Sequence, residues 1–559
     1  MGSNPRVKWI RSFEIWILMV MMASQIKSQI FFIDGSHLLV NSGLRSGIAV
    51  GVADMNGDFK DDIIRLHEGT CLNIEYQNEP NELFSNYYFG EVSTSSEWSM
   101  CIGDIDHNGY NDVLVGGRYD DIKLFYNNNS GTAVSMSTLD NSNFFIQGSN
   151  FVDINNDGWL DIFACDDNAD LRKYRNLQDG TFIFDQSLIP TNIGGGNSGN
   201  YASIWIDYDN DDDLDLYISK CRGGVTDPTS PNRLNRLLRN NGSNVFQDAA
   251  GAAGLRIGDQ SWSSTFEDID NDGDLDCFMI NHGTHSRLYE NDGFGSYTDI
   301  TASSNLLDQV PFSATQTIMR DFDNDGYVDI LISGTSSKLF RNNGNNQFTE
   351  IINPFGVPVA TFAIGDLNRD GYLDVYAGYP NFINIPHIFA DQMWLNVGGA
   401  NNYFVMELVG RQSNINGIGA RVALYYAGGV QIREVRSGES YGIQNSLNQH
   451  FGLGIETTID SVIVKWPSGT RDKLFYPVIN QFFRLHEGDF PICPDQYVIP
   501  FDPIPSVSFL AQELIQASTT ITEEGQVTLL SGDRVGLEPS FEVITGGTLT
   551  VAIEDCGEE

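Results

Sequence analysis

Positive charge is scarce in this chain of 559 residues: 32 Lys and Arg stand against 74 Asp and Glu, a formal net charge of −42. Gripping phosphates takes clustered Lys and Arg, so the composition argues against a nucleic-acid partner. Cysteine is sparse too, at positions 71, 101, 165, 221, 277, 493 and 556 with no Cys-x-x-Cys, which removes zinc ribbons and thioredoxin-like redox motifs. Spacing selects no pairing: Cys493 and Cys556 bracket the tail and could bridge there, and buried free thiols are the alternative for the other five. Long apolar runs are missing as well. Arg6, Lys8 and Arg11 precede the run Ile15 to Ala23, which gives residues 1–28 the form of a secretory signal cleaved near Ser24 or Ser28, with an uncleaved anchor as the alternative. No later segment has 18 consecutive apolar residues, so no membrane span is expected in a mature chain that is secreted or held at the cell surface.

Catalytic signatures are absent in the same way. His67-Glu68 and His486-Glu487 lack the second His of a zincin, and neither a G-x-S-x-G elbow nor a phosphate-binding G-x-x-x-x-G-K-[ST] occurs. Hydrophobic residues nevertheless make up 41% of the chain, and 56 Gly and 34 Phe accompany them. That composition fills a core and suits short aromatic-rich strands joined by tight turns.

The chain does contain a repeat. The nine-residue pattern D-x-[DN]-x-[DN]-x-x-x-D, with Gly at the sixth position in most copies, occurs seven times between residues 54 and 374, with starts separated by 50, 49, 54, 61, 53 and 45 residues. This is the length of one four-stranded propeller blade. Apolar β-prone runs flank each copy, such as Ile204-Trp205-Ile206 before and Leu216-Tyr217-Ile218 after, so each loop joins two strands. A second pattern, an aromatic or Leu pair followed by Asn, also recurs seven times, from Tyr76-Gln77-Asn78 through Tyr174-Arg175-Asn176 to Trp394-Leu395-Asn396. Two repeats with one count predict an all-β chain built on a seven-bladed β-propeller, whose radial closure hides strand edges.

Positions 1, 3, 5 and 9 of every copy carry side-chain oxygen. They are Asp54, Asn56, Asp58 and Asp62; Asp104, Asp106, Asn108 and Asp112; Asp153, Asn155, Asp157 and Asp161; Asp207, Asp209, Asp211 and Asp215; Asp268, Asp270, Asp272 and Asp276; Asp321, Asp323, Asp325 and Asp329; and Asp366, Asn368, Asp370 and Asp374. Hard oxygen donors in a loop that turns at Gly are what Ca²⁺ prefers, so about seven Ca²⁺ sites are expected. Position 6 is Gly in five copies but Phe59 in the first and Asp212 in the fourth, which marks those two as the weak or distorted sites. An EF-hand would need Glu at position 12, where Arg65, Val115, Ala164, Ile218, Met279, Ile332 and Ala377 stand. Metal-free Asx-turns are the alternative for any one copy. Seven copies at blade spacing weigh against it, because carboxylates gathered in one loop repel unless a cation neutralises them.

On these motifs, residues 31–400 resemble the FG-GAP/VCBS repeats of integrin-α-type propellers. A different series follows: Asn414-Ile415-Asn416-Gly417-Ile418-Gly419-Ala420-Arg421, then Gln431-Ile432-Arg433-Glu434-Val435, Tyr441, Gln444, His450-Phe451-Gly452-Leu453-Gly454 and Lys465-Trp466-Pro467-Ser468-Gly469. It resembles the ASPIC/UnbV domain, and the order of the two resembles the cartilage acidic protein-like family; Ile443 stands where that pattern has Ser. The residues themselves predict a small β domain in which Arg421, Arg433, Glu434 and His450 form either a ligand site or, more in keeping with their types, a buried ion-pair network. The expected divisions are 1–28 signal, 29–400 propeller, 401–488 second β domain, 489–510 Pro-rich linker and 511–559 a short β module similar to those of exported bacterial proteins.

Taken together, the sequence points to a secreted Ca²⁺-binding propeller acting as a non-enzymatic adhesion or ligand-recognition module. Its expected partner is an extracellular protein or glycan, with the insertion Gly223 to Asn232 as a candidate contact loop or a tolerated surface insertion. A Ca²⁺-dependent polysaccharide-processing enzyme and a purely structural scaffold are the alternatives.

Overall fold

The short β-prone runs around each loop fold into antiparallel sheets, and the strands that enter and leave each loop are the buried ones of their sheet. The entering, inner strands are Ser46–Ala53, Glu97–Gly103, Phe144–Val152, Asn200–Ile206, Ser261–Glu267, Ala314–Arg320 and Thr361–Gly365. Ser46–Ala53 is buried along its whole length. It therefore reads as a run of small and β-branched residues rather than an alternation, as a strand covered on both faces must. The outer strands, such as Ser85–Glu91, are only partly buried. The computed structural model that shows this describes residues 30–139, 144–189, 198–352, 354–381 and 388–492, with short stretches between 496 and 553. The signal segment 1–28 and the tail cysteines Cys493 and Cys556 lie outside the described residues. The other five cysteines are free thiols, and all but Cys71 are buried.

The chain is predominantly β, in sheets of four to eight strands built as repeated four-stranded units. The second and third units merge where Phe144 and Phe145 pair with Asp120 and Arg118. The seventh unit takes its fourth strand from the start of the chain: Phe32–Asp34 pairs antiparallel with Trp394 to Asn396. The first and seventh units also meet directly, since Thr361 Oγ1 donates to the Ile48 carbonyl at 2.6 Å and the Asp366 amide to the Asp61 carboxylate at 2.8 Å. Phe32 is buried against Phe322 and Phe355, with ring centroids at 6.0 and 5.0 Å. Phe32→Ala is expected to cost about 3 kcal/mol, read as a lowered urea midpoint; an unchanged midpoint would show that the seventh unit stands without this strand.

Residues 402–486 add a three-stranded sheet and a four-stranded antiparallel ladder in which Arg421–Tyr426 pairs with Gly429–Glu434 across a tight turn at Ala427 and Gly428. That ladder continues through Phe475 and Ser508 into parallel strands, Ser508–Ala511, Gln526–Ser531 and Thr548–Ile553. Two further parallel ladders, one through Gln496–Val498, Leu514–Ala517 and Arg534–Leu537 and one pairing Thr520–Ile521 with Glu542–Val543, make the tail a coil of parallel strands. Gln496–Val498 and the start of Ser508–Ala511 lie in 489–510, the stretch expected from the sequence to be a linker.

The largest departure from a simple chain of domains is the segment between Glu434 and Asn445, which runs among the inner strands of all seven units. Ile443 and Gln444 pair parallel with Val50 and Gly51. Ser437 Oγ donates to the Ile102 carbonyl at 2.7 Å, and Asn150 Nδ2 donates to the Gly438 carbonyl at 2.7 Å. The Asp207 amide donates to Glu434 at 3.3 Å, and Arg436 pairs with Glu267 at 2.9 Å. Thr317 N donates to Ser440 Oγ and Ile364 N to Asn445 Oδ1, both at 2.9 Å. Ile443, which replaces a polar Ser in the pattern, is fully buried beside Val50, Ile318 and Phe362, where a hydroxyl would lack a partner.

Candidate metal centres

All seven loops are built with the same backbone bonds. The position-6 amide donates to the position-1 carboxylate: Phe59 to Asp54 at 2.7 Å, Gly109 to Asp104 at 2.8, Gly158 to Asp153 at 2.7, Asp212 to Asp207 at 3.1, Gly273 to Asp268 at 3.2, Gly326 to Asp321 at 2.8 and Gly371 to Asp366 at 2.7. The position-9 Asp uses both oxygens, one for the position-2 amide and one for an amide of the third strand of its own sheet. Asp112, for example, accepts from Ile105 at 3.0 Å and from Asn127 at 2.7 Å. Positions 4 and 6 are left-handed throughout, which only Gly and Asn adopt at little cost. This accounts for Gly57, Asn156, Asn210, Asn271 and Asn324 at position 4, a signal in the sequence that the motif reading passes over.

The recurrent Asn turns out to be a staple between neighbouring sheets. Its side-chain amide donates to a carbonyl of the preceding loop: Asn127 to Met55, Asn176 to Ile105, Asn291 to Tyr208, Asn342 to Ile269 and Asn396 to Phe322, at 2.6 to 2.9 Å. In the first unit Gln77 takes this place and reaches Asp366 of the seventh loop at 3.0 Å.

Four loops bring carboxylate oxygens within 4.8 Å of one another: Asp207, Asp209, Asp211 and Asp215; Asp104, Asp106 and Asp112; Asp268, Asp270 and Asp276; and Asp321, Asp323 and Asp325. The first, third and seventh loops have Asn at position 3, and in the third and seventh that amide donates to the position-5 Asp at 3.0 Å. Burial, and after it the neighbouring carboxylates, push these acids up: Asp104 to about 6, Asp207 and Asp268 to about 7, Asp215 to about 9. Asp209 Oδ1 and Asp270 Oδ1 are buried with no hydrogen-bond donor. Crowded, desolvated, donor-poor oxygens fit a hard cation, and the ligand set holds neither nitrogen nor sulfur. In the fourth and sixth loops, each with four Asp, a guanidinium also spans positions 3 and 5. Arg239 lies 2.5 Å from Asp209 and 2.8 Å from Asp211, and Arg341 lies 2.6 Å from Asp323 and contacts Asp325.

The two loops without Gly at position 6 keep the same fold, and their exceptional side chains fasten the second domain. Phe59 meets the Phe482 ring edge-on at 6.2 Å and lies under Arg369 and Arg484, at 5.1 and 4.9 Å. Asp212 pairs with Lys465 at 2.6 Å and Arg471 at 2.8 Å. Each holds a left-handed φ, 67° and 69°, whose strain is offset by these contacts. Asp212→Gly is expected to leave stability within about 1 kcal/mol, because the relaxed backbone compensates for two half-exposed ion pairs; a larger loss in a denaturant melt would make those pairs structural necessities.

Arg421, Arg433, Glu434 and His450 are all buried, but only Arg421 and Glu434 are ion-paired among the described residues, while Arg433 and His450 bond carbonyl oxygens. Arg421 pairs with Asp207 at 3.1 Å, Glu434 with Arg436 at 3.1 Å, Arg433 donates to the Ile432 carbonyl at 2.7 Å, and the His450 ring bonds the Gly371 carbonyl at 3.0 Å. Burial pushes His450 down to about 4.

An all-β repeat protein with oxygen-rich loops capable of holding metal is the class these features define. The chain is an FG-GAP-repeat protein that also carries an ASPIC/UnbV domain: the FG-GAP-like repeat model matches residues 104–164, 153–218, 268–332 and 321–377, and the ASPIC and UnbV model matches 410–491. It is homologous to cartilage acidic protein 1, 22% identical to that of Xenopus tropicalis and 24% to that of Mus musculus, each over 76% of this chain and 71% of the relative. The loop Asp54 to Asp62 lies outside the matched repeats, yet it makes the same bonds as the other six. Among solved structures, BBS1N in complex with ARL6DN aligns with TM-score 0.41 at 9% identity, covering 66% of this chain and 98% of that one, which is too slight to argue from. Among the described residues no helix is long and apolar enough to cross a membrane.

Proposed function

We propose that this is a secreted, Ca²⁺-dependent and non-enzymatic adhesion or ligand-recognition protein, built on a closed seven-bladed propeller over residues 29–400 and clasped by the 401–488 domain. Closure is supported by the Asn and Gln staples, which link most neighbouring units and reach from the first back to the seventh, and by the N-terminal strand in the seventh unit. The C-terminal module starts earlier than 511, because Gln496–Val498 and Ser508–Ala511 are its first strands. We assign the 28 loop residues at positions 1, 3, 5 and 9 as the ligands of about seven Ca²⁺ ions. The reading is carried by one observation: carboxylates converge in four of the loops, most of them buried or half-buried, and Asp209 Oδ1 and Asp270 Oδ1 are buried there without a donor. Seven divalent ions would offset fourteen of the 42 negative charges.

The insertion Gly223 to Asn232 is pinned by Arg233, which donates to the carbonyls of Val225 at 3.2 Å and Thr226 at 2.9 Å, so it presents a set shape to a partner. Counting bound metal by mass spectrometry after dialysis into millimolar Ca²⁺ tests the assignment, with about seven ions expected and none overturning it. Incubation with a polysaccharide panel with and without EDTA separates recognition from catalysis: Ca²⁺-dependent retention without product is expected, and turnover would replace this reading with an enzyme.

A further inference from the structure

The end of the inner strands away from the loops carries a cavity of about 570 Å³, within the range of small-ligand sites, roughly 300–1,000 Å³. Its lining comes from the first, fifth, sixth and seventh units, and the rings of Trp262, His282, Phe312, Tyr379 and Phe389 dominate it. The floor is preorganised. Trp262 stacks on His282 with centroids at 4.4 Å and packs against Tyr441, the tip of the inserted segment, at 5.3 Å. Tyr379 is fixed by donating to Gln392 at 2.6 Å and accepting from Trp394 Nε1 at 3.0 Å. Phe312 and Phe389 stand at the rim, 56% and 51% exposed, where an aromatic ring left in water is a cost that a ligand would remove.

Among the described residues that line it, none is Asp, Glu, Lys or Arg, although the chain as a whole carries −42. Charged ligands find no counter-charge there, and burying a charge against such walls is unfavourable. Between the rings sit the hydroxyls of Ser313, Thr315 and Thr335 and the amide of Asn381. Ring faces beside uncharged hydroxyl and amide groups complement a pyranose, which offers a C–H face and a rim of hydroxyls. We infer that this cup binds neutral sugar rings at the end of a glycan chain, an inference that rests on the ligand-recognition reading and gives it a site and a ligand class.

The test is a glycan array of neutral and acidic oligosaccharides, probed in Ca²⁺ with the full chain and with the Phe312→Ala/Phe389→Ala double variant, whose changes are at exposed positions. Neutral glycans are expected to bind, and the variant to lose at least tenfold in signal while keeping the parental melting temperature. Binding of acidic glycans alone, binding that the variant retains, or no binding to any neutral glycan would overturn the proposal. Parallel titration with a capped Leu-Pro-Phe peptide covers an apolar peptide as occupant: saturable binding that the variant abolishes, with the array blank, overturns the glycan assignment and leaves ligand recognition standing. A blank array together with a blank titration removes the cup from function altogether, while Ca²⁺-dependent adhesion through another surface can still be scored independently on immobilised matrix proteins.

Discussion

Chelating divalent cations at pH 8 is expected to lower the melting temperature by about 10 °C, and the loss should shrink as the pH falls toward 5. At millimolar Ca²⁺ and a dissociation constant of roughly 10⁻⁴ M, each occupied site adds about 1.4 kcal/mol, so seven sites add about 10 kcal/mol, which corresponds to the stated shift for a chain of this size. The pH dependence follows from the direction of the carboxylate shifts. Without metal, burial raises Asp104 to about 6, Asp153 and Asp268 to about 7, Asp161 and Asp366 to about 8 and Asp215 to about 9, all from an ordinary 3.8. Over that window the folded chain holds more protons than the unfolded one, so metal-free stability is greatest near the acid end and declines as pH rises. Bound cations keep the carboxylates ionised and remove the decline. Buried His450, pushed down to about 4, acts in the opposite sense: it costs stability as pH falls below about 6.5 whether or not metal is bound, and so it does not mimic the metal effect. Thermal melts at pH 5 and pH 8 with EDTA or Ca²⁺ measure this directly. Equal Ca²⁺ effects at the two values would show that the loop carboxylates are not the linked groups.

How much of this was legible beforehand depends on distance along the chain. The loops were, because D-x-[DN]-x-[DN] places every donor within nine residues and the pattern repeats seven times. The Asn that follows two aromatic or apolar residues was visible as a pattern, but its purpose was not, since Asn127 reaches Met55 and Asn396 reaches Phe322 in a neighbouring sheet. Phe59 and Asp212 were read as defects because Gly is the easy residue for a left-handed turn; the contacts that make them useful, to Phe482 and to Lys465 and Arg471, lie hundreds of residues downstream. The parallel coil of the tail was hidden for a related reason: its alternating short strands look the same whether they pair as hairpins or stack in parallel. The burial and polar pairing of Arg421, Arg433, Glu434 and His450 followed from their types, but the insertion of the neighbouring segment among the inner strands did not.

That insertion supplies the other large expected effect. Arg436 is buried and lies 2.9 Å from Glu267, 3.1 Å from Glu434 and 3.6 Å from Glu439, while Arg320 pairs with Glu267 at 2.6 Å and Glu439 at 2.9 Å. Burial alone would lower the Arg436 guanidinium, but the three carboxylates outweigh it and hold the group above its ordinary value; burial likewise would raise Glu439, and the two Arg side chains bring it below the usual range. Arg436→Met leaves buried Glu267 and Glu439 to share Arg320, and Glu434 to Arg421 at 3.8 Å, and its expected cost is about 3–5 kcal/mol. Adding Glu267→Gln should recover part of that loss, because it neutralises one of the carboxylates that the lost guanidinium leaves crowded together, and strict additivity in the double variant would deny the network. Ending the chain at residue 400 is the harsher form of the same experiment. It strips Val50 and Gly51 of their partner strand, leaves Asn150 and Thr317 without their bonds to the inserted segment, and opens apolar walls around Ile443 to water. Residues 30–400 alone are therefore expected to lack a cooperative melt and near-ultraviolet dichroism even in millimolar Ca²⁺. A truncated chain melting cooperatively within a few degrees of the full one would show that the units hold themselves together and that the segment is a passenger. With the segment in place, Phe482, Lys465 and Arg471 of the second domain lie against the loops while Tyr441 packs on Trp262 at the other end of the inner strands, so the second domain and its segment tie both ends of the fold together.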